Sequence, residues 1–210
     1  MWKYVVLIIW LDISQVNGYS TGAVSSVCNT LLPGHGVSSQ PVTTNPYTIT
    51  TDVQTFHAGS FVNFTIAGAD FKGFMLQVDG FSDSAYGEFV SIPGGTKLLN
   101  CGTRSSNAVT HSNSNTKTSV TLKWQAPLEN LEGHALSAVA TIVQQRLTFW
   151  VRLQSSLIRG VPVPVCSLNC QNSGSCIFDS SGNEICDCVP GFAGPTCKRS
   201  VVYCPCEIPV

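Results

Sequence analysis

The stretch FKGFMLQV, Phe71–Val78, indicates the fold class of this chain better than any other segment. It is a compact apolar run interrupted only by Lys72, Gly73 and Gln77. A run this short and this apolar, bounded by turn signals, is typical of a strand buried deep in a sheet rather than of a helix. We therefore predict a buried strand here, with Lys72 at a strand edge or reaching solvent through its aliphatic stem.

Alternating segments lie on both sides of this run. In Phe61–Ile66 the side chains of Val62, Phe64 and Ile66 share one face, while Asn63 and Thr65 share the other, and a turn is predicted at Gly68–Asp70 before the run begins. Further strands are predicted at Tyr47–Phe56, around Val120, Leu122 and Trp124, at Leu136–Val143, and at Leu147–Leu153 with Phe149, Val151 and Leu153 inward. Short strands at this spacing, without a helical period, favour an all-β protein with an antiparallel β-sandwich.

Length and composition set further bounds. The 210 residues are enough for one medium domain and a small one, and the apolar fraction of 43% can form a core. Charged residues make up only 11% of the chain, against roughly 25% in ordinary soluble domains. With a net charge of -1 and no run of like charges, the sequence predicts no nucleic-acid partner and no anionic membrane surface as partner.

The N-terminus has the pattern of a secretory signal peptide over residues 1–18. Lys3 precedes the apolar stretch Val5–Leu11, and cleavage is expected after Gly18. The apolar stretch is too short to span a bilayer, and no later segment approaches the roughly 20 apolar residues that a membrane helix needs. We expect a secreted, extracellular protein without a membrane span once the signal peptide is removed.

The ten cysteines are unevenly distributed and predict disulfides rather than zinc in an exported chain. Only Cys28 and Cys101 come before residue 160, and these two are expected to pair. The other eight lie between Cys166 and Cys206. This shift in composition predicts a sandwich domain over residues 19–158, a stiff Pro/Val linker over 159–165, a disulfide-rich module over 166–197 and a tail over 198–210.

Several segments of the first domain resemble, in order, those of a reeler (reelin-type) domain over about residues 19–153. The family is known from neuronal matrix proteins, from ferric-chelate reductase-like membrane proteins and from small secreted insect defence proteins that bind microbial surfaces. The resemblance implies an immunoglobulin-like sandwich. The matching segments are Gly18-Tyr19, Gly22-Ala23-Val24, Cys28, Pro33-Gly34-His35-Gly36, Phe71–Gln77, Cys101, Ala108–Ser112, Trp124–Pro127 and Phe149-Trp150-Val151.

The six cysteines of the second domain resemble those of an EGF-like module, with a C-x-C pair followed by Gly191-Phe192, Gly194 and the last cysteine. Six cysteines allow 15 pairings in principle. The resemblance implies three of them: Cys166–Cys176, Cys170–Cys186 and Cys188–Cys197. For Cys204 and Cys206 in the tail, a local disulfide and pairing with another chain both remain open.

No catalytic, cofactor-binding or metal site is predicted. His35 lies in a Gly-flanked turn and His111 in a Ser/Asn-rich loop, and none of the four histidines has a metal-ligand spacing. Both lie within the reeler resemblance, which allows them to meet, although hydrogen bonding within the fold is the favoured interpretation. Nucleophile elbows and paired carboxylates are also missing from the sequence. Asn63 of the sequon Asn63-Phe64-Thr65 is the predicted glycosylation site.

These observations predict a secreted, non-enzymatic recognition protein. Its expected partner is an extracellular ligand, and innate-defence binding of a microbial surface glycan or lipid is the first hypothesis. The alternative is a matrix or cell-adhesion component that binds a matrix protein, which the appended EGF-like module favours. A third hypothesis is a fragment of a ferric-chelate reductase-like membrane protein.

Overall fold

The computed structural model describes residues 20–80, 85–179 and 182–201. The predicted signal peptide over 1–18 and the tail residues Cys204 and Cys206 lie outside the described residues. In the described part no helix is long and apolar enough to cross a membrane, and the helical segments are two 3₁₀ turns, Ser25–Val27 and Val42–Thr44. The strands are β1 Tyr47–Thr51, β2 Thr55–Phe56, β3 Phe61–Phe71, β4 Gly73–Asp79, β5 Glu88–Ser91, β6 Thr96–Leu99, β7 Ala108–His111, β8 Lys117–Gln125, β9 Ala135–Gln145, β10 Thr148–Gln154, β11 Ile158–Gly160, β12 Ser175–Phe178, β13 Glu184–Asp187, β14 Phe192–Ala193 and β15 Arg199–Ser200.

The chain divides into two compact units, Met1–Pro162 and Val163–Val210. Strands β1 to β11 lie in the first unit and β12 to β15 in the second. Strand β11 pairs with β2 and with β9. Arg159 and Gly160, which the sequence assigns to the linker, are therefore paired strand residues, and the first unit extends past residue 158. The reason is that Gly160 fits against the backbone of Leu131, where any Cβ would collide with a carbonyl oxygen.

The described residues of the first unit form two sheets. A four-stranded sheet has the order β1-β3-β8-β5, and a seven-stranded sheet has the order β2-β11-β9-β4-β7-β6, with β10 also paired to β9. All these pairs are antiparallel except the short β2–β11 pair. The predicted fold class, an antiparallel β-sandwich followed by a small disulfide-rich EGF-like domain, is confirmed.

Alternation along β3 and β8 places one face of each strand in the sandwich core. The buried residues of the two strands lie opposite one another in the register, which brings apolar side chains into contact across the ladder. The core-facing pairs are Val62 with Trp124, Phe64 with Leu122, and Ile66 with Val120. Thr65 and Thr121 face outward, where their hydroxyls are 2.9 Å apart.

The stretch Phe71–Val78 forms the corner between the two sheets. Phe71 ends β3 in one sheet and Gly73 begins β4 in the other, so the buried strand starts two residues later than predicted. Lys72 lies between them with an exposed side chain, as expected, and its backbone N–H donates to the carbonyl of Val143 at 2.9 Å.

Strand β4 is buried on both faces, which explains its continuous apolar character. Phe74, Leu76 and Val78 face the core between the sheets. Met75 packs on the opposite face against a second cluster, which is covered by residues 22–40, here called the N-terminal strap. That cluster consists of Cys28, Leu31, Met75, Cys101, Ala108 and Val139.

Two predicted boundaries near the start of the sandwich are wrong. Tyr47–Phe56 is not one strand, because β1 belongs to the four-stranded sheet and β2 to the seven-stranded one. The segment Gly68–Asp70 is not a turn but part of β3, where the pairing with β8 is irregular between Ala67 and Phe71. Gly68 has a φ of 135°, and a Cβ there would collide with the carbonyl of Pro46.

The predicted inward face of β10 is right for Leu153 but wrong for Phe149 and Val151. The pairing with β9 shifts between Trp150 and Leu153, and Arg152 adopts a φ of 57°. Because of this bulge, Trp150 and Leu153 enter the core between the sheets, while Val151 packs against the cluster under the strap. A β-bulge at a non-glycine residue reverses the alternation that the prediction assumed.

Candidate functional site

The N-terminal strap is fastened to the outer face of the seven-stranded sheet by a disulfide and hydrogen bonds. Cys28 and Cys101 are joined, and both are buried. At the start of the strap Gly22 has a φ of 99°, and a Cβ there would collide with the carbonyl of His111. The hydrogen bonds run from Ala23 N–H to Thr110 Oγ1 at 3.0 Å, from Thr141 Oγ1 to Leu31 O at 2.5 Å, from Arg152 Nη1 to Asn29 O at 3.3 Å and from Gln40 N–H to Phe149 O at 2.8 Å.

An apolar cavity of about 60 Å³ lies between the strap and the sheet. Counting its open mouth, the depression encloses about 480 Å³. Side chains of the strap form one wall, and strands β4, β7 and β9 form the other. The cavity is lined by Ala23, Val24, Val27, Leu31, Pro33, Gly34, His35, Phe74, Met75, His111, Thr141 and Val143.

His111 is held in one wall of the cavity by the backbone of Phe74. Its Nδ1 lies 3.1 Å from the backbone nitrogen of Phe74, whose N–H donates to it, and 3.2 Å from the carbonyl oxygen of the same residue. The ring packs on Gly73, where an added Cβ would lie 2.8 Å from the His111 Cε1. His111 ends β7 rather than lying in a loop as the sequence analysis had it. Beside it, Thr110 Oγ1 donates to the carbonyl of Phe74 at 2.6 Å.

His35 lines the same cavity from the strap, so the structure brings His35 and His111 to one site. The His35 ring meets Phe149 edge-on, with centroids 5.2 Å apart. Its Nδ1 is buried and has no hydrogen-bond partner among the described residues. Burial lowers the pKa of His35 below its ordinary value of 6.5. A backbone hydrogen bond with Arg146 raises it in part, and the charge of Arg146 lowers it further.

We predict that part of the stability of the first unit is lost below pH ~6.5 through His35. The unfolded chain takes up the proton at its ordinary pKa, whereas the folded chain does so only at lower pH. The contribution is therefore fully present above pH ~6.5 and decreases as the pH falls through the lowered pKa. Urea denaturation at several pH values between about 7.5 and 5 measures it. His35→Phe should flatten this dependence, and an unchanged slope in that variant would contradict the assignment.

The polar residues that hold the strap were not predicted from the sequence; they are Thr110, Thr141 and Arg152. The sequence did contain one signal that indicated polar contacts of this kind. Thr141 interrupts the apolar run of β9 and Gln77 that of β4, and a polar residue inside a buried strand needs a partner on the second face. Gln77 finds it in Asp79, whose Oδ1 accepts from the Gln77 amide at 2.7 Å, while Asp79 Oδ2 lies 3.4 Å from Arg152.

Three disulfides hold residues 166–197 of the second unit, Cys166–Cys176, Cys170–Cys186 and Cys188–Cys197, the pairs that the EGF-like resemblance implies. Cys176 and Cys186 also face each other across β12 and β13. The Glu184 carboxylate accepts the Ser167 hydroxyl at 2.6 Å and lies near the sulfurs of Cys166 and Cys176. Those two sulfurs are joined to each other, and a disulfide sulfur is not the thiolate that binds metal.

Asn63, the predicted glycosylation site, lies on the outer face of β3. Its side-chain amide donates to Asp52 Oδ2 at 2.7 Å, and its backbone N–H donates to Asp52 Oδ1 at 2.9 Å. N-linked glycosylation replaces only one of the two amide hydrogens, so the bond to Asp52 can persist beside a glycan.

We predict a single N-linked glycan on Asn63 in protein secreted by animal cells. An endoglycosidase should increase the gel mobility of the wild-type protein, because the sugar adds mass on an exposed face. Asn63→Gln should migrate at the deglycosylated position without treatment. Equal mobility of treated and untreated wild type would contradict the prediction.

The protein is therefore an all-β sandwich in which a disulfide-tethered strap covers the outer face of the seven-stranded sheet. The Reeler domain family matches residues 26–164. The chain belongs to the Reeler domain family.

Two relatives show how this domain is used in longer and shorter proteins. The "Putative defense protein 3" of Antheraea mylitta is 39% identical over 74% of this chain and 94% of its own length. The "Putative ferric-chelate reductase 1" of Danio rerio is 36% identical over 68% of this chain, which spans only 25% of that protein. Among solved structures, the Reelin-N domain of F-spondin covers 55% of this chain with 19% identity and a TM-score of 0.46.

Proposed function

We propose that this protein is a secreted, non-enzymatic recognition protein of innate defence that binds microbial surface molecules. The observation that carries the proposal is the near-complete coverage of relatives named as defense proteins, 94% in Antheraea mylitta and 92% in Bombyx mori. The ferric-chelate reductases, by contrast, share only about a quarter of their length with this chain. The shared domain alone therefore supports a binding role rather than the activity of those larger proteins.

A pull-down with purified full-length protein tests the proposal. Intact bacteria, immobilised lipopolysaccharide and insoluble β-glucan serve as three separate surfaces. We expect retention on at least one of them, and competition by the same molecule added in solution. Absence of retention on all three surfaces would overturn the proposal.

The second candidate function is a matrix or cell-adhesion component. The EGF-like unit favours it, because that unit adds a disulfide-bonded module after residues 26–164, over which the Reeler domain family matches. Retention of the secreted protein in the cell layer, together with failure of all three microbial pull-downs, would favour this function over the first.

A further inference from the structure

We infer that the outer edge of β1 binds a short, uncharged, extended segment of another protein as an added strand. The segment lies in the groove between β1 and β10 and has apolar side chains at alternate positions. This inference goes beyond the proposed function, because its ligand is a peptide rather than a glycan or a lipid. It is carried by the direction of the β1 backbone groups, by the uncharged character of this edge and by the groove beside it.

The backbone of β1 has hydrogen-bonding groups that point away from its sheet. The strand lies at one end of the four-stranded sheet, and among the described residues only β3 pairs with it. The N–H of Asp52, directly after β1, donates to Asn63 O at 3.2 Å. Peptide groups alternate in direction along a strand of an antiparallel pair, so the even-numbered residues of β1 point to β3. The N–H and C=O groups of Ile49 and Thr51 therefore point outward.

The first outward-pointing residue of β1, Tyr47, is already occupied. Its N–H donates to Asn45 Oδ1, and its carbonyl accepts from Asn45 Nδ2, both at 2.8 Å. The amide thus makes the two bonds that a neighbouring strand would make with this residue. No comparable side chain of the described residues bonds to the backbone of Ile49 or Thr51, so these two residues offer four groups to an added strand.

Strand β1 also lacks the features that protect sheet edges in natural proteins, which include charged side chains, bulges and very short strands. Its five residues, YTITT, carry no charge, and its register with β3 has no shift. The other described edge strands of the first unit are protected. Strand β5 contains Glu88 and a register shift, β6 contains Lys97, β10 contains a bulge at Arg152, and β2 has only two residues. This contrast indicates a partner at β1.

A groove of about 650 Å³ lies beside this edge, between β1 and β10. Its volume is in the range of ligand sites, about 300–1,000 Å³. The lining includes the core residues Ile49 and Leu153 and the exposed Thr48, Thr50 and Gln154. Cross-strand neighbours share one face of a sheet, so a side chain opposite Ile49 points toward the core and one opposite Thr50 points to solvent. The bound segment therefore alternates apolar and hydroxyl-bearing residues.

The charges around the groove favour an uncharged segment. Among the described residues that line it, Arg152 is the one that carries a charge. Its Nη2 lies 3.4 Å from Asp79 Oδ2, and its Nη1 donates to Asn29 O at 3.3 Å. A charged side chain that points inward would lose its water without gaining a free counter-charge.

A second copy of this chain fits the edge less well than a short peptide. Pairing of two β1 strands about a two-fold axis at Ile49 places Thr51 of the second copy opposite Tyr47, where Asn45 already makes the bonds. The open edge from Ile49 to Thr51 is only about 7 Å long. A stable dimer buries roughly 800 Å² on each partner, which so short an edge does not supply.

Heteronuclear NMR of the isotope-labelled full chain, titrated with the peptide acetyl-Thr-Val-Thr-Val-Thr-amide, tests the inference. We expect saturable shifts of the Ile49 and Thr51 amide signals and slower hydrogen exchange at both. Failure of these amides to respond would overturn the inference and leave the proposed function standing. Shifts of the same amides that depend on protein concentration alone, with dimer formed in sedimentation, would overturn the peptide as the occupant.

Two methylated forms of this peptide separate strand addition from simple burial of side chains. Methylation of both Val nitrogens removes the N–H groups that face β1, and we expect binding to weaken by at least about tenfold. Methylation of the central Thr nitrogen alters a group that faces away from β1, and we expect binding to change by less than about threefold. Equal binding of the two methylated peptides would overturn the inference.

Variants of the protein locate the edge. Thr51→Pro removes one outward N–H and leaves the bonds to β3 in place, so we expect the peptide to bind about fivefold more weakly. Asn45→Ala frees the backbone of Tyr47. In that variant acetyl-Thr-Val-Thr-Val-Thr-Val-Thr-amide should bind about fivefold to tenfold more tightly than the shorter peptide, because two hydrogen bonds are added. In the wild type the two peptides should bind about equally.

Asn130→Ala is the matched control for Asn45→Ala. The Asn130 side chain also accepts the N–H of the residue two positions later, Glu132, at 2.9 Å, but it lies outside β1 and the groove. We expect the two peptides to bind this variant equally. Absence of a gain for the longer peptide in Asn45→Ala would overturn the assignment of the site to β1, even if Thr51→Pro fails to fold.

Discussion

Replacing Cys28 and Cys101 together by alanine is expected to lower the free energy of unfolding of the first unit by about 4 kcal/mol. The disulfide closes a loop with a sequence separation of 73 residues, and a long loop gains much conformational entropy in the unfolded chain when it is opened. Both cysteines also belong to the cluster under the strap, so their loss weakens the contacts of Leu31 and Met75.

Urea denaturation followed by tryptophan fluorescence measures this loss, because Trp124 and Trp150, the tryptophans of the described residues, both lie in the first unit. Cys188→Ala with Cys197→Ala is the matched control. That disulfide has a sequence separation of only 9 and lies in the second unit. We expect the control to leave the tryptophan transition in place. A loss below about 1 kcal/mol in the strap variant would contradict the chain-entropy argument.

Replacing Trp124 by alanine is expected to cost the first unit about 3–5 kcal/mol. The side chain is fully buried and meets Phe56 and Phe64 edge-on, with centroids 5.9 and 6.1 Å away. Its Nε1–H donates to the carbonyl of Tyr86 at 2.8 Å. The substitution therefore leaves a cavity and removes the indole donor from a buried carbonyl.

Trp124→Phe separates the cost of the cavity from the cost of the lost hydrogen bond, and Phe61→Ala serves as a control at the surface. Trp124→Phe keeps most of the ring volume and removes the donor, so we expect a smaller loss of about 1–3 kcal/mol. Phe61→Ala, on the neighbouring strand β3, removes a ring that is 50% exposed, and we expect it to cost less than about 1 kcal/mol. The fluorescence of Trp150 follows unfolding in all three variants. A comparable loss in Phe61→Ala and Trp124→Ala would contradict the assignment of Trp124 to the core.

The strands with one buried face could be predicted from sequence, since β3 and β8 alternate regularly between apolar and polar residues. The same reasoning failed where the backbone departs from ideal geometry. Nothing in the sequence marks Arg152 as a residue with positive φ, yet that residue decides which side chains of β10 enter the core. The break between β1 and β2 depends on which sheet each one joins, and this is a property of the whole fold.

The candidate site could be predicted only in part. His35 and His111 were visible as residues within a family resemblance, but their sequence separation is 76, and no local pattern predicts their meeting. The cavity between them depends on the strap lying across β4, β7 and β9. The continuous apolar run of β4 was the available signal, because a strand buried on both faces requires a cover on each.

The strap is synthesised before the strands that lie beneath it. Residues 22–40 and Cys101 are synthesised before Thr141 and Phe149. Both of these later residues hold the strap by hydrogen bonds, because the Thr141 hydroxyl donates to Leu31 O and the Phe149 carbonyl accepts the N–H of Gln40. At about 5–20 residues per second, roughly two to ten seconds pass between Cys101 and Phe149. A disulfide formed early in that interval joins the strap to a loop before β9 and β10 have been synthesised. The Cys28–Cys101 disulfide can therefore form before the strap packs on the sheet during biosynthesis. The cavity is completed only when β9 and β10 have been synthesised and have folded.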